Sequence, residues 1–276
     1  MADYTWYGLG GGADYLISPE NTDQLRTVIQ RCSENDLPFY VLGNGSNLLV
    51  RDQGIRGAVI KLQEDEFTRF DFTGSSLKAA AGAGLNKIIQ DTIKRGLGGL
   101  EALTGIPGTI GGAVKMNAGG HFGDIGTAVQ SVTVMDKQGQ IFEKEKPELV
   151  FDYRQSNITA RVILAANIEL AEADKDDLLK TVKEVWIYKK NTQPLDTKNA
   201  GCVFKNPRGM SAGALIDKAG LKGTQVGGAV VSSKHANFIL TEKGCKSADV
   251  LKLIEQIQQR VKEKFDVELE LEIEIW

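Results

Sequence analysis

Histidine and cysteine are scarce in this chain. Two histidines, His121 and His235, and three cysteines, Cys32, Cys202 and Cys245, are scattered over 276 residues. No His/Cys cluster has zinc spacing, so no metal is expected. An odd, dispersed cysteine set speaks against a disulfide framework and for a reducing compartment. No apolar run approaches the ~18 residues of a membrane span. Met1-Ala2-Asp3-Tyr4 has neither the basic nor the apolar region of a secretion signal. Basic charge is not in surplus: Lys and Arg total 33 against 36 Asp and Glu, a net charge of −3. Nothing in that balance favours nucleic acid. With 42% hydrophobic and 25% charged residues, the composition is that of an ordinary globular protein. The expectation is a cytoplasmic protein, monomeric, without nucleic acid, membrane or obligate protein partner.

Glycine, by contrast, is abundant, at 31 residues, well above the usual share of about 7%. The glycines are clustered, which means sharp bends or close backbone approach.

Asn21 and the residues after it have helix-capping character, and Leu25, Val28, Ile29 and Cys32 follow with helical spacing. Cys32 is therefore expected in the core. Phe39–Leu42 and 58–62 are short apolar strands. Leu85, Ile88, Ile89 and Ile93 mark a second helix that Gly96 is placed to end. Strands are expected at Val129–Met135 and 161–170. Leu178, Leu179, Val182, Val185, Trp186 and Lys189 give a third helix with a snorkelling basic end. The polar passage 191–199 is a linker. Beyond it come a helix near 212–219 and a strand at Ala229–Val231. A last helix is capped by Ser247, with Val250, Leu251, Ile254, Ile257, Val261 and Phe265 inward. The tail alternates Val267, Leu269, Leu271, Ile273 and Ile275 with Glu268, Glu270, Glu272 and Glu274, the pattern of a half-buried strand. Helices and strands interleave without a regular βαβ rhythm, so the class is α+β.

Gly8-Leu9-Gly10-Gly11-Gly12-Ala13 matches G-x-G-x-x-A on paper. Only seven residues precede it and Pro19 interrupts any following helix, so the dinucleotide fingerprint is rejected. Gly43-Asn44-Gly45 follows a strand, but Leu48 stands where a third glycine belongs, and no Gly-Lys-Ser/Thr ending makes it a P-loop. Consecutive N–H groups in such a loop still suit a pyrophosphate, with a pair of tight turns as the plainer alternative. The stretch Thr104-Gly105-Ile106-Pro107-Gly108-Thr109-Ile110-Gly111-Gly112-Ala113 shifts that balance. Two glycine loops with apolar residues between them point to an extended nucleotide cofactor held along backbone amides.

Five segments then follow one another in a familiar order. They are Val41-Leu42-Gly43-Asn44-Gly45-Ser46-Asn47-Leu48-Leu49, Gly105–Ala113, Tyr153-Arg154-Gln155-Ser156, Ala200-Gly201-Cys202-Val203-Phe204-Lys205-Asn206-Pro207 and Lys234-His235-Ala236-Asn237-Phe238. Over essentially the whole chain, the sequence resembles the UDP-N-acetylenolpyruvoylglucosamine reductases (UDP-N-acetylmuramate dehydrogenases), flavoenzymes of peptidoglycan precursor synthesis. The resemblance implies an α+β chain with an FAD-binding region of the vanillyl-alcohol-oxidase type and a smaller α+β substrate domain. It divides the chain into FAD-binding subdomains at 1–62 and 63–191, a substrate-binding domain at 192–266 and a terminal strand at 267–276. Gly43, Asn44, Gly45, Ser46, Asn47 and Leu48, with Gly105, Ile106, Pro107, Gly108, Thr109, Gly111, Gly112 and Ala113, are the implied cofactor-binding residues.

The family reduces an enolpyruvyl ether on a nucleotide sugar, with electrons passing from NADPH to FAD and then, as hydride, to the substrate. By motif position, Arg154 stabilises the enolate-like charge, Glu272 assists, and Cys202 donates the proton where most relatives carry Ser. Tyr153, Lys190 and Asn206 are the implied substrate contacts. A thiol, with an ordinary pKa near 8.5, is a more acidic donor than a hydroxyl. The family's terminal Glu-Val-Arg reads Glu272-Ile273-Glu274 here. The short span from 168 to 199 resembles the subtype without an extra Tyr-bearing loop. A catalytically silent flavin- or nucleotide-sugar-binding paralogue is the alternative that these departures raise.

Overall fold

The computed structural model describes residues 1–276. The chain forms two compact units. The larger comprises Asp14–Asn44 and Arg56–Tyr188, and the smaller comprises Met1–Ala13, Gly45–Ile55 and Lys189–Trp276.

The larger unit is built on a five-stranded antiparallel sheet. Its order is Ile141–Glu145, Val129–Met135, Val162–Glu169, Ser76–Ala80, Phe70–Thr73. The Val- and Ile-rich central strands bury Val132, Val134, Ile163 and Ala166 in one core. A second sheet pairs Phe39–Leu42 in parallel with Ile55–Lys61. Helix α1 (Thr22–Glu34) starts where the Asn21 side chain accepts the Gln24 N–H, and it buries Leu25, Ile29 and Cys32. A short α2 (Asp65–Thr68) follows. Helix α3 (Leu85–Arg95) buries Leu85, Ile88 and Ile89 and ends on Gly96 at φ 72, a left-handed position where glycine has no Cβ penalty. Helix α4 (Ile110–Lys115) begins inside the second glycine loop. Helix α5 (Lys175–Thr192) buries only Leu178 and Val185. Leu179 and Trp186, which also mark this helix in the sequence, are 42% and 48% exposed.

In the smaller unit, Gln225–Val226, Ala229–Val231 and Ile239–Thr241 form an antiparallel meander. Helices α6 (Ala212–Lys218) and α7 (Ser247–Phe265) share its core through Ala212, Leu215, Val250, Leu253, Ile254, Ile257 and Val261. Ser247 does not cap α7; it is the first helical residue. Lys246 is the N-cap, with its N–H donated to Asp249 Oδ2 at 3.0 Å, and further acceptors come from far away in sequence. The Asp52 carboxylate accepts the Ser247 and Ala248 N–H groups at 2.9 and 3.1 Å, satisfying two orphan donors of the first turn.

The acidic tail is not one continuous strand. Glu274–Ile275 pairs in parallel with Leu48–Leu49, and Leu271 forms an isolated bridge with Phe204. Its partners are irregular loops, so the ladder breaks, yet Leu269 and Ile273 are still buried. These pairings also change the domain boundaries. Residues 45–55 lie in the smaller unit rather than with 1–62, and the tail is part of that unit rather than a separate segment.

Candidate active site

In the larger unit, the two glycine loops meet. A Cβ on Gly43 would come within 2.8 Å of Thr109 Oγ1. The second loop is pinned to the turn before α3: the Leu85 N–H donates to the Gly108 carbonyl (3.0 Å), and the Ile110 N–H to the Ala83 carbonyl (3.0 Å). Gly111 has no room for a side chain, because its Cβ would lie 2.9 Å from Ala81 Cβ, whereas a Cβ on Gly108 would face open space. Ile110 and Ala113 are buried and anchor α4. In the first loop, Gly45 stands at φ 62, and a Cβ there would lie 2.0 Å from the Tyr4 carbonyl oxygen. Closely spaced backbone amides in a glycine loop suit a pyrophosphate, and the open space beside Gly108 lets a cofactor approach the backbone. These residues fit FAD. Leu48 is buried and pairs with Glu274, and Asn47 Nδ2 donates to the Glu272 carbonyl at 3.0 Å.

Arg154 sits at the tip of a hairpin between Phe151–Asp152 and Gln155–Ser156. Its φ of 57 is left-handed, a conformation that costs a non-glycine residue about 1 kcal/mol or more. The turn is set by the Asp152 carboxylate, which accepts the Tyr153 N–H at 2.7 Å. The guanidinium lies 5.1 Å from the Tyr153 ring centre. The hairpin is bolted to the end of α4: Ser156 Oγ donates to the Lys115 carbonyl (2.8 Å), and Asn117 Nδ2 to the Asp152 carbonyl (3.0 Å). Asn117 is 4% exposed and also accepts the Gly126 N–H (2.9 Å). A short helix thus ties the second glycine loop to the arginine turn.

In the smaller unit, Cys202 and Glu272 are on adjacent strands of chain. The Glu272 N–H donates to the Val203 carbonyl at 2.8 Å, and the Lys205 N–H to the Glu270 carbonyl at 2.8 Å. Cys202 and Glu272 are partly buried, while Glu268, Glu270 and Glu274 are exposed. Asn206 Oδ1 accepts the Ala212 N–H at 3.0 Å, at the start of α6. Lys190 is exposed at the end of α5, and its carbonyl accepts Lys234 Nζ at 2.6 Å.

The other two thiols are poor nucleophiles. Burial, then the Asp249, Asp52 and Glu242 carboxylates, push Cys245 up to about 11, and burial raises Cys32. Burial also raises the Tyr7 hydroxyl, which has no hydrogen-bond partner. No group of three or more His, Cys, Asp and Glu side chains is placed to hold a metal ion. No helix is long and apolar enough to cross a membrane.

Sequence reasoning missed the buried asparagines. Asn117 and Asn199 (8% exposed) are both committed to backbone groups. Asn117 lies in the stretch 116–120 that ends the glycine-rich region, and an amide there was the only signal.

An FAD-binding domain model matches residues 13–144, and a model of the UDP-N-acetylenolpyruvoylglucosamine reductase C-terminal domain matches 193–276. A curated UDP-N-acetylenolpyruvoylglucosamine reductase from Clostridium botulinum is 41% identical over 277 residues, covering 100% of this chain and 90% of the relative. One from Clostridium tetani is 41% identical over 275 residues, covering 99% and 89%. The crystal structure of the reductase from Thermus caldophilus superposes with a TM-score of 0.87 at 40% identity, covering 100% of this chain and 96% of that one. Glycine loops that fit FAD, a second α+β unit and full-length likeness at this identity agree: the chain is an FAD-dependent oxidoreductase and belongs to the UDP-N-acetylenolpyruvoylglucosamine reductase family.

Proposed function

We propose that this chain reduces the enolpyruvyl ether of UDP-N-acetylglucosamine enolpyruvate to the lactyl ether of UDP-N-acetylmuramate, with NADPH as electron source. FAD, when bound and reduced, supplies hydride to the vinyl carbon. The rest is work for the protein's own groups. Arg154 holds the substrate carboxylate and stabilises the negative charge that builds on it, an effect typically worth several kcal/mol. Cys202 delivers a proton from its thiol to the carbon next to that carboxylate, and the thiolate regains a proton from solvent. Glu272 assists Arg154 in that stabilisation. Lys190 and Asn206 meet the diphosphate and sugar, and Tyr153 borders the substrate beside Arg154. The enzyme works as a cytoplasmic monomer.

The observation that carries this reading is the 2.8 Å hydrogen bond from the Glu272 N–H to the Val203 carbonyl. It sets the chain next to Cys202 beside the chain at Glu272, and that adjacency supports a joint role for the two residues.

The test is anaerobic and optical. NADPH bleaches the flavin of the purified protein, and the enolpyruvyl substrate restores the colour. Cys202→Ala keeps the bleaching and loses about 10²–10⁴-fold in the rate of recovery, the usual contribution of a general acid. Cys202→Ser regains much of it. Recovery at the wild-type rate in Cys202→Ala removes Cys202 from the reaction. A protein that cannot be loaded with FAD sinks the whole reading.

A further inference from the structure

Three hydrogen bonds join one buried asparagine to the two residues that follow Cys202. The Asn237 carbonyl accepts the Val203 N–H at 2.8 Å. Asn237 Oδ1 accepts the Phe204 N–H at 3.0 Å, and Asn237 Nδ2 donates to the Phe204 carbonyl at 2.8 Å. Asn237 is 3% exposed. Its amide therefore satisfies both backbone groups of a single residue, as a neighbouring strand would.

That substitution for a strand matters here. Phe204 lies outside regular structure and has only an isolated bridge to Leu271 on one side. On the other side there is no strand, only the Asn237 side chain. Buried backbone polar groups are costly to leave without partners, so the amide holds this edge firmly.

Asn237 is itself held. Its N–H donates to His235 Nδ1 at 3.2 Å. Ser232 Oγ accepts the Lys234 and His235 N–H groups at 3.2 and 3.3 Å. The absence of a side chain on Gly213 makes room, since a Cβ there would lie 3.1 Å from His235 Cε1. Upstream of Cys202, Asn199 Oδ1 accepts the Gly201 N–H at 3.0 Å. Cys202 stands between two clamped stretches of backbone.

We propose that Asn237 is a positioning residue for Cys202: by clamping Phe204 it fixes where the thiol delivers its proton. The proposal rests on the reading of Cys202 as proton donor. Proton transfer needs hydrogen-bond reach of the accepting carbon, and a displacement of about 1 Å can cost a hundredfold.

The experiment is a double-mutant cycle on the FAD-loaded enzyme. Asn237→Ser and Asn237→Asp are made alone and with Cys202→Ala. Asp keeps the shape and the acceptor but loses the donor to the Phe204 carbonyl. Four quantities are read: bound FAD, the rate of reduction by NADPH, the limiting rate of reoxidation by substrate, and the substrate concentration giving half that rate. The expected result has FAD content and reduction by NADPH close to wild type. The limiting reoxidation rate falls about ten- to a hundredfold, and the half-saturating concentration is unchanged. In the Cys202→Ala background, the Asn237 change costs nothing further, because the group it positions is gone.

An equal proportional loss in both backgrounds overturns the inference, leaving Asn237 a general support of the fold. So does loss of flavin, or of NADPH reduction, in both variants. Wild-type reoxidation by Cys202→Ala alone is a different failure: it removes the proton-donor reading, and the inference falls with it. If one variant does not fold, the other completes the cycle.

Discussion

The side-chain amide of Asn47 donates to the backbone carbonyl of Glu272 at 3.0 Å, across 225 residues of chain. A residue of the first glycine loop therefore steadies the backbone at the glutamate. Asn47→Ala should destabilise the protein by about 1 kcal/mol, the usual net worth of such a bond. It should also slow reoxidation by substrate more than reduction by NADPH. Thermal unfolding and the two half-reactions measure this. Loss of FAD with reoxidation untouched would place Asn47's role on the cofactor instead.

Glu272 should stand apart from its neighbours. Its exposure already does, since Glu268, Glu270 and Glu274 are all exposed and Glu272 is partly buried. Glu272→Gln is expected to slow flavin reoxidation by substrate and leave reduction by NADPH largely intact. Glu270→Gln should lose only the 3.6 Å ion pair with Lys205, worth less than about 1 kcal/mol at an exposed site. Equal damage from both substitutions would mean that the acidic face is structural.

The three thiols should separate cleanly by reactivity. The thiolate is the nucleophile, and Cys245, held at about 11, carries little of it at neutral pH. Cys32 is 4% exposed. Iodoacetamide at pH 7 should therefore label Cys202 first, and activity should fall in step with that label. Cys202→Ser should resist inactivation. Peptide mass spectrometry reads the site, and labelling of Cys245 before Cys202 would contradict the assignment.

Arg154 combines strain with charge. Arg154→Gly removes the penalty of the left-handed φ of 57, about 1–2 kcal/mol. Glycine's extra freedom in the unfolded chain takes back about 0.5–1 kcal/mol. The melting temperature should hold or rise slightly, and Arg154→Ala should be less stable than Arg154→Gly. Both should lose about 10²–10³-fold in reoxidation by substrate. A glycine variant that turns over normally would show that the guanidinium does no electrostatic work.

Asp52 should give the fold a dependence on acid. Burial raises its pKa, but the N–H groups of Ser247 and Ala248 outweigh that effect and hold the carboxyl below its ordinary value. A lowered folded-state pKa gives stability that is present above the unfolded value near 3.9 and is lost as pH falls through the folded one. Asp52→Asn should cost about 1 kcal/mol at pH 7, as loss of a helix cap does. The gap between variant and wild type should narrow below about pH 4. Denaturant midpoints across pH 3–7 measure this, and a constant gap would show that charge is not involved.

What the sequence made legible depended on repetition. Leu85, Ile88 and Ile89 recur with helical period, and Gly96 ends α3 in the left-handed region. Asn117 and Asn237 carry no such signal, because each binds backbone distant in sequence and a single amide has no periodicity. Helix α5 shows the limit of periodicity itself. Its adjacent apolar residues Leu178 and Leu179 define two faces, and the fold buries the one shared by Leu178 and Val185. The glutamates of the tail were equivalent by pattern. Their different exposure follows from pairing with the irregular segment at 203–205, which no spacing rule describes.

The parallel pairing of Leu48–Leu49 with Glu274–Ile275 sets a schedule for synthesis. The Arg51 N–H donates to the Trp276 carbonyl, and the Trp276 N–H to the Leu49 carbonyl. On a ribosome adding about 5–20 residues per second, Leu48 waits on the order of ten to forty-five seconds for its partner to be made. The segment 14–188 can consolidate during that interval, apart from 45–55. The glycine loop from Gly45 onward stays without its strand partner until translation reaches the tail. A nascent-chain stall before Glu272 should therefore leave residues 45–55 open to protease.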